Sequence, residues 1–354
     1  MSQPELQENL SQHDRPLVQF EKRMLIALAL IGLALFLWKS AEAFLIFFAG
    51  IIIAVVLGGF SYMLKERTRW TYCTCLYVAT GCMFLLIVGI AMLVLPMVVS
   101  EGQRLFDKMP TILENARSTT WGRMFLSGGM NGSGGDGLLS RIIGPATRSA
   151  EAITALALAL FVGIFLAYDP QAYCRGLLSI LPLGYREKGR QLLLACGRAL
   201  WHWLIAQGFA MLIIGTLVTI GMLIVGAPFA WVLGPLAGLF QFIPNVGPVL
   251  WAIPAVLIAL STSQTMAIKV MALYIVVQVL EGNFITPMVQ KQNVQMPPVL
   301  TLLGTVVMGM VFGPLGLILG TPLTVILLVS YRMLYQRDLL HDENAKIPGQ
   351  GEPH

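Results

Sequence analysis

Charge is the scarcest commodity in this sequence of 354 residues: 12% of positions are Asp, Glu, Lys or Arg. A soluble domain carries about 25%, so a water-soluble enzyme is excluded as the reading of this composition. Histidine is equally thin. His13, His202, His341 and His354 are scattered and form no metal-ligating set. Five cysteines (Cys73, Cys75, Cys82, Cys174, Cys196) are an odd number, and three fall in one apolar run; they read as small packing residues, with no structural disulfide implied. Gly-x-Ser-x-Gly, His-Glu-x-x-His and a pair of aspartates inside an apolar run are all absent, which argues against an enzyme. No metal or other cofactor is expected. No cleavable leader is expected either: more than twenty polar residues, ending at Lys22 and Arg23, precede the first apolar run, and no small-residue cleavage site follows it.

What the chain has in quantity is apolar length. Hydrophobic residues make up 56%, and the runs recur over the whole sequence. The expectation is an all-α, polytopic membrane protein with about eight transmembrane helices. Broken or re-entrant helices are expected in its C-terminal half. The net charge of +5 suits loops that touch anionic lipid and is weak support for nucleic acid.

Residues 1–23 read as a polar cytoplasmic tail, 24–335 as one transmembrane bundle and 336–354 as a polar C-terminal tail. The expected spans are 24–38 (short for the ~20 residues a bilayer needs), 43–64, 72–99, 152–168, 204–225, 229–260, 267–289 and 297–335. Lys39, Ser40 and Glu42 are expected to form a tight turn between the first two. In 100–150, Leu105, Phe106, Met109, Ile112 and Leu113 recur among charged residues at helical spacing, so amphipathic helices are expected there. The Gly-rich run 128–137 reads as a linker, since no Lys-Ser/Thr follows it. Residues 169–202, with Arg175, Arg186, Lys188, Arg190 and Arg198, read as a cytoplasmic amphipathic segment leading into a span. Lysines and arginines favour the side that holds both termini by roughly two to one, which supports cytoplasmic ends.

The chemistry concentrates between Gln241 and Pro322. Phe242-Ile243-Pro244-Asn245-Val246-Gly247-Pro248 breaks one span, and Gln278 to Pro287 breaks the next. The second places Glu281 inside an apolar run, where a charge costs at least ~2.5 kcal/mol and marks a pathway or a partner. Pro287 cannot donate to the Asn283 carbonyl, and Gly282 loosens the same turn. Glu281, Asn283, Gln278 and Asn245 are the candidate transport or ion-coupling residues. On an unbroken helix Gln278 and Glu281 share a face while Asn283 points away, so only a distorted turn at Gly282 lets the three converge. Pro244, Gly247, Pro248, Gly282, Pro287, Gly313 and Pro314 are the candidate helix-break or gating positions. Gln241, Thr286 and Thr301 form a second tier. Asn245 reads equally as a pore-lining amide or as a group that satisfies backbone at a break. Glu281 has a bland alternative as a helix-packing carboxylate. Trp201, Trp203 and Trp251 read as interfacial anchors, and Met308 and Met310 as packing.

These same stretches resemble the autoinducer-2 exporter family of bacterial inner-membrane proteins. The likeness is carried by 242–248, by Glu281-Gly282-Asn283 with Pro287, by Pro298 to Gly304 and by Phe312 to Leu323. Asp169-Pro170 and Leu181-Pro182 before Arg186 also match. Thr286 stands where some members have an acidic residue. The resemblance implies about eight membrane helices, an extracytoplasmic helical segment at 100–150 and a homo-oligomer in contact with membrane lipids. It further implies export of a small polar solute of the autoinducer-2 kind, or exchange of a monovalent cation, coupled to H⁺ or Na⁺. The competing functions are an uncoupled channel and a lipid-organising scaffold with no solute site.

Overall fold

The computed structural model describes residues 40–85, 149–285 and 297–337, with Met24, Gly32, Val88, Gly89 and Met92 as isolated helical positions. The chain divides into two units, 1–46 and 47–354. Of the first, Met24, Gly32 and the opening turns of a helix at 40–46 are described; all packing below belongs to the second. Among the described residues every element is helical and none is a strand. The expected span 24–38, the remainder of 72–99 beyond residue 85, the amphipathic helices of 100–150, the linker 128–137 and both tails lie outside the described residues.

Helix α1 is Ser40–Arg67 and α2 is Tyr72–Leu85. Ser40 and Glu42 therefore belong to a helix and not to the expected turn. Helix α3, Ser149–Tyr168, meets α4, Pro170–Ser179, at 89°. The corner is built by Asp169, whose carboxylate accepts the Ala172 N–H at 3.0 Å, followed by proline at the first helical position. Packing among α1, α2 and α3 is close. A Cβ on Gly50 would sit 2.6 Å from Val162, Leu57, Leu76 and Ala167 form a buried cluster, and the Tyr72 hydroxyl donates to the Ala167 carbonyl at 2.9 Å.

Helix α5, Arg186–Val225, runs for 40 residues without a proline and merges the amphipathic segment with the expected span 204–225. It ends on Gly226 in the left-handed region, φ 73°. Helices α6, Ala230–Phe240, and α7, Gly247–Thr262, are separate and joined by a turn at 241–246. Thus 229–260, whose sequence leaves open one long broken helix or a helix with a re-entrant half, consists of two helices joined by a turn. Helix α8, Gln264–Leu280, is capped by the Ser263 hydroxyl, which accepts from Met266 N at 3.1 Å, and ends in a π-helical turn, Glu281–Ile285.

Contacts fix the directions. Gly215 meets Gly238 and Thr219 meets Gly234, so α6 runs antiparallel to α5. A Cβ on Gly238 would lie 2.7 Å from the Met211 carbonyl, so only glycine permits this approach of two backbones. Helices α7 and α8 are joined through Ser263 alone, and Trp251 packs edge-on to Tyr274 at a similar distance along each from that joint, so the two run antiparallel. The second half of α5 with α6, α7 and α8 encloses one core of Ile214, Val218, Met222, Leu233, Ala237, Trp251, Val270 and Val277.

The last helix, α9, spans Pro298–Tyr331 but turns at Gly313, φ 64°, ψ −145°. The Thr305 and Thr321 hydroxyls lie 3.0 Å apart, and a Cβ on Gly309 would fall 2.6 Å from Leu317. Those pairs place the two halves side by side. The break expected at Gly313-Pro314 is a reversal, giving arms about 22 and 27 Å long at 1.5 Å per residue. The second arm packs Val325, Val329 and Met333 on Ala195, Ala199, Leu200 and Trp203 of α5.

Among the described residues, by length and composition, four helical stretches could cross a bilayer, or five if α3 and α4 count as one span; 299–335 is among them and is folded in two. Many large apolar side chains face outward along these stretches, with Ile224 80% and Met310 83% exposed, as suits a lipid-facing surface. The protein is a multi-pass membrane protein. Met310, expected to pack inside, points out. Trp203 and Trp251, expected as interfacial anchors, are buried.

Candidate functional site

Because α6 runs back along α5 and α8 returns along α7, the C-terminal ends of α6 and α8 arrive at one level, beside the middle of α5. Gln241 caps α6 and is 3% exposed; Glu281 caps α8 and is half-buried. Gln241 Nε2 donates to Glu281 Oε1 at 2.5 Å, across 40 residues of sequence. Gln207, buried on α5, donates from Nε2 to the Gln241 backbone carbonyl. Three helices are thus tied by a polar chain, Gln207 to Gln241 to Glu281.

The chain is incomplete in one respect. Gln241 Oε1 and Glu281 Oε2 are both buried and receive no hydrogen bond among the described residues. Leaving a buried acceptor without a donor costs about 1–3 kcal/mol, more for a charged one. Such atoms are uncommon in folded proteins and call for a reason. Reversing the Gln241 amide would not cure the deficit, since its oxygen would then face a carboxylate oxygen. Two carbonyl-type oxygens and one negative charge suit a hard cation or a proton.

Glu281 stands near the C-terminal end of the apolar helix Gln264–Phe284, not at its middle, and its carboxylate turns inward to α6. Its backbone N–H is shared between the Val277 and Gln278 carbonyls, and the wider turn that follows passes through Gly282, exposed with open space around it. Asn283 does not join the cluster despite that distorted turn: it is exposed, and its Nδ2 donates to the Val279 carbonyl at 2.9 Å. Gln278 is half-buried and contributes a backbone carbonyl to the turn. Asn245 is exposed and left-handed, φ 67°, and the Val246 N–H donates to the Pro244 carbonyl across it at 2.8 Å. That geometry belongs to a tight-turn residue, which asparagine tolerates.

Gly247 and Pro248 are buried where α7 begins. A Cβ on Gly247 would lie 1.9 Å from the Phe240 carbonyl, so the turn closes only on glycine. Pro244 is half-buried, Pro314 is exposed at the tip of the α9 reversal, and Thr301 is half-buried on its first arm. Pro287 and Thr286 lie outside the described residues. Gln207 is the member that the motif reading missed. Its signal is an amide in the otherwise apolar stretch Leu204–Ile214. No group of three or more His, Cys, Asp or Glu that could hold a metal occurs among the described residues.

A family model described as AI-2E family transporter matches residues 25–336. The chain belongs to the AI-2E transporter family. Membership and the long apolar helices place it in a family of membrane transporters. Among relatives, YueF of Bacillus subtilis strain 168 is 30% identical over 214 residues, 59% of this chain and 57% of that protein. YrrI of the same organism is 28% identical over 169 residues, 48% of each. Both carry names that assign them provisionally to transport. The AI-2 transport protein TqsA of Escherichia coli strain K12 is 28% identical over 130 residues, 36% of this chain and 38% of TqsA. The chain spans about half the length, or less, of these relatives.

Proposed function

We propose that this protein is a carrier of the bacterial cytoplasmic membrane. On this reading it exports a small polar solute or exchanges a monovalent cation, coupled to H⁺ or Na⁺ at Glu281. Both termini and residues 169–202 are cytoplasmic, 100–150 is extracytoplasmic, and the working form is a homo-oligomer seated in lipid. The observation that carries the reading is Glu281 itself. An ionisable group is turned into the protein at the shared end of α6 and α8, held through one oxygen and undonated at the other. Loading a cation there neutralises the carboxylate and lets the layer repack; unloading restores a charge that must be re-bound before the site moves again. Irregular backbone on either side, at 241–246 and 281–285, supplies the joints. The name of TqsA makes autoinducer-2 one candidate solute.

The test is gradient-driven flux in proteoliposomes holding the purified full chain. Glu281→Gln keeps the shape and the acceptor for Gln241 but removes the charge. It should abolish coupled flux while the protein still elutes and melts as the wild type does. Flux that persists unchanged, or that ignores both proton and sodium gradients in the wild type, would leave a channel or a structural protein instead.

A further inference from the structure

Two acceptors, not one, are left open at the site, and the second belongs to a residue that cannot ionise. Gln241 is 3% exposed, sits on a different helix from Glu281, and has its Nε2 already committed to Glu281 Oε1. That bond fixes which end of the amide faces the carboxylate, and so leaves Gln241 Oε1 undonated in the same pair of side chains as the undonated Glu281 Oε2. The backbone of Gln241 is in turn held by Gln207 from α5. A buried amide fastened at its nitrogen and its main chain, with its oxygen free, is built as an oxygen ligand.

We propose that Gln241 is a direct ligand of the coupling cation, with Gln207 as the residue that positions it. This rests on the reading of Glu281 as the coupling group and adds the partner that selects what Glu281 carries. Glu281 contributes one negative charge. A monovalent cation cancels it, whereas a divalent one would leave a buried surplus of positive charge, which is costly at low dielectric. A bare cation such as Na⁺ or Li⁺ can use Gln241 Oε1 and Glu281 Oε2 together. A proton needs only the carboxylate to carry it, although a protonated Oε2 could also donate to Gln241 Oε1, whereas a bare alkali cation needs more than one oxygen ligand. Loss of the Gln241 oxygen should therefore weaken alkali-cation binding more than it weakens protonation of the carboxylate.

The experiment uses the purified full chain and Na⁺ as the probe, with Li⁺ in parallel. Na⁺-dependent flux in proteoliposomes and the Na⁺-induced shift of the melting temperature in detergent are both measured. For Gln241→Leu, the half-saturating Na⁺ concentration should rise about tenfold or more, and the Na⁺-induced melting shift should vanish. Gln241→Asn, one methylene shorter but still an amide, should recover part of both. It carries the same expectation of weakened Na⁺ binding if the leucine variant does not fold. Gln207→Leu should raise half-saturation with the maximal rate retained, a split that a merely structural lesion would not produce. Wild-type Na⁺ dependence in Gln241→Leu overturns the inference, as does a wild-type protein whose stability and flux ignore both Na⁺ and Li⁺. If Glu281→Gln abolishes coupling while Gln241→Leu leaves Na⁺ dependence intact, only the role of Gln241 is lost. Unaltered flux in Glu281→Gln removes the reading underneath it.

Discussion

Thr305 and Thr321, on opposite sides of the Gly313 turn, hold their hydroxyls 3.0 Å apart, with Thr305 also donating to the Thr301 carbonyl at 2.8 Å. Sixteen residues on a straight helix would stand about 24 Å apart. The contact therefore defines a helical hairpin where composition alone reads a single long rod.

Cysteines at 305 and 321 should form a disulfide on mild oxidation, in a background where Cys73, Cys75, Cys82, Cys174 and Cys196 are replaced by serine or alanine. The 3.0 Å between the hydroxyls, with the Gly320 backbone close against the Thr305 Cα, brings the two side chains within reach of each other. The readout is loss of maleimide labelling that reductant restores. Free thiols after oxidation would mean that the arms do not meet.

Gly304 faces Thr324 across the same hairpin, and a Cβ there would fall 2.1 Å from the Thr324 hydroxyl and 3.4 Å from its Cβ. Gly304→Ala should lower stability by about 1–3 kcal/mol through overpacking. Because the obstruction is chiefly one side-chain oxygen, adding Thr324→Ala should return most of that loss. Detergent-phase thermal melting of the two single variants and the double one measures the coupling.

The two turns that break the apolar stretches should respond in opposite senses. Gly313 occupies φ 64°, ψ −145°, a region closed to other residues, so Gly313→Ala should cost about 1–3 kcal/mol. Asn245 sits at φ 67° with its side chain exposed, and Asn245→Gly should shift the melting temperature little or raise it. A large loss of transport in Asn245→Gly with stability intact would mark that amide as more than a turn residue.

Gly238→Ala should destabilise by a similar amount with no neighbouring side-chain change able to rescue it. The atoms it would meet are the Met211 carbonyl and the Gly215 Cα, both backbone. Melting of Gly238→Ala alone and combined with Met211→Ala distinguishes this case from Gly304, because shortening Met211 moves no backbone.

The helical class was legible from charge content and the length of apolar runs, and the positions of the breaks from glycine and proline. The form of the breaks was not. Gly313-Pro314 reads alike as a kink or a reversal, and only the Thr305–Thr321 and Gly309–Leu317 contacts decide. Glu281 was visible because a carboxylate in an apolar run is costly. Its partner was harder to find: Gln241 and Glu281 are 40 residues apart, and their meeting depends on α6 and α8 ending level, which no local pattern encodes. Asn283 was drawn in by adjacency, yet a short amide next to a helix end readily satisfies its own backbone, as its bond to Val279 shows. Gln207 was overlooked because a lone amide amid Leu204–Ile214 carries little weight until its acceptor is known.

One rod governs how any of this can move. Helix α5, at 1.5 Å per residue, is about 60 Å long, twice the hydrocarbon thickness of a bilayer. Its far half bears the α6–α8 core, and its near half grips the returning arm of α9. The charged end around Arg190 lies about 25 Å along the helix from Gln207, so a tilt of a few degrees at the Gln207 level would be carried there as a swing of about 1–2 Å. On the carrier reading proposed above, that charged end is a pointer on which the state of the Glu281 site can be read.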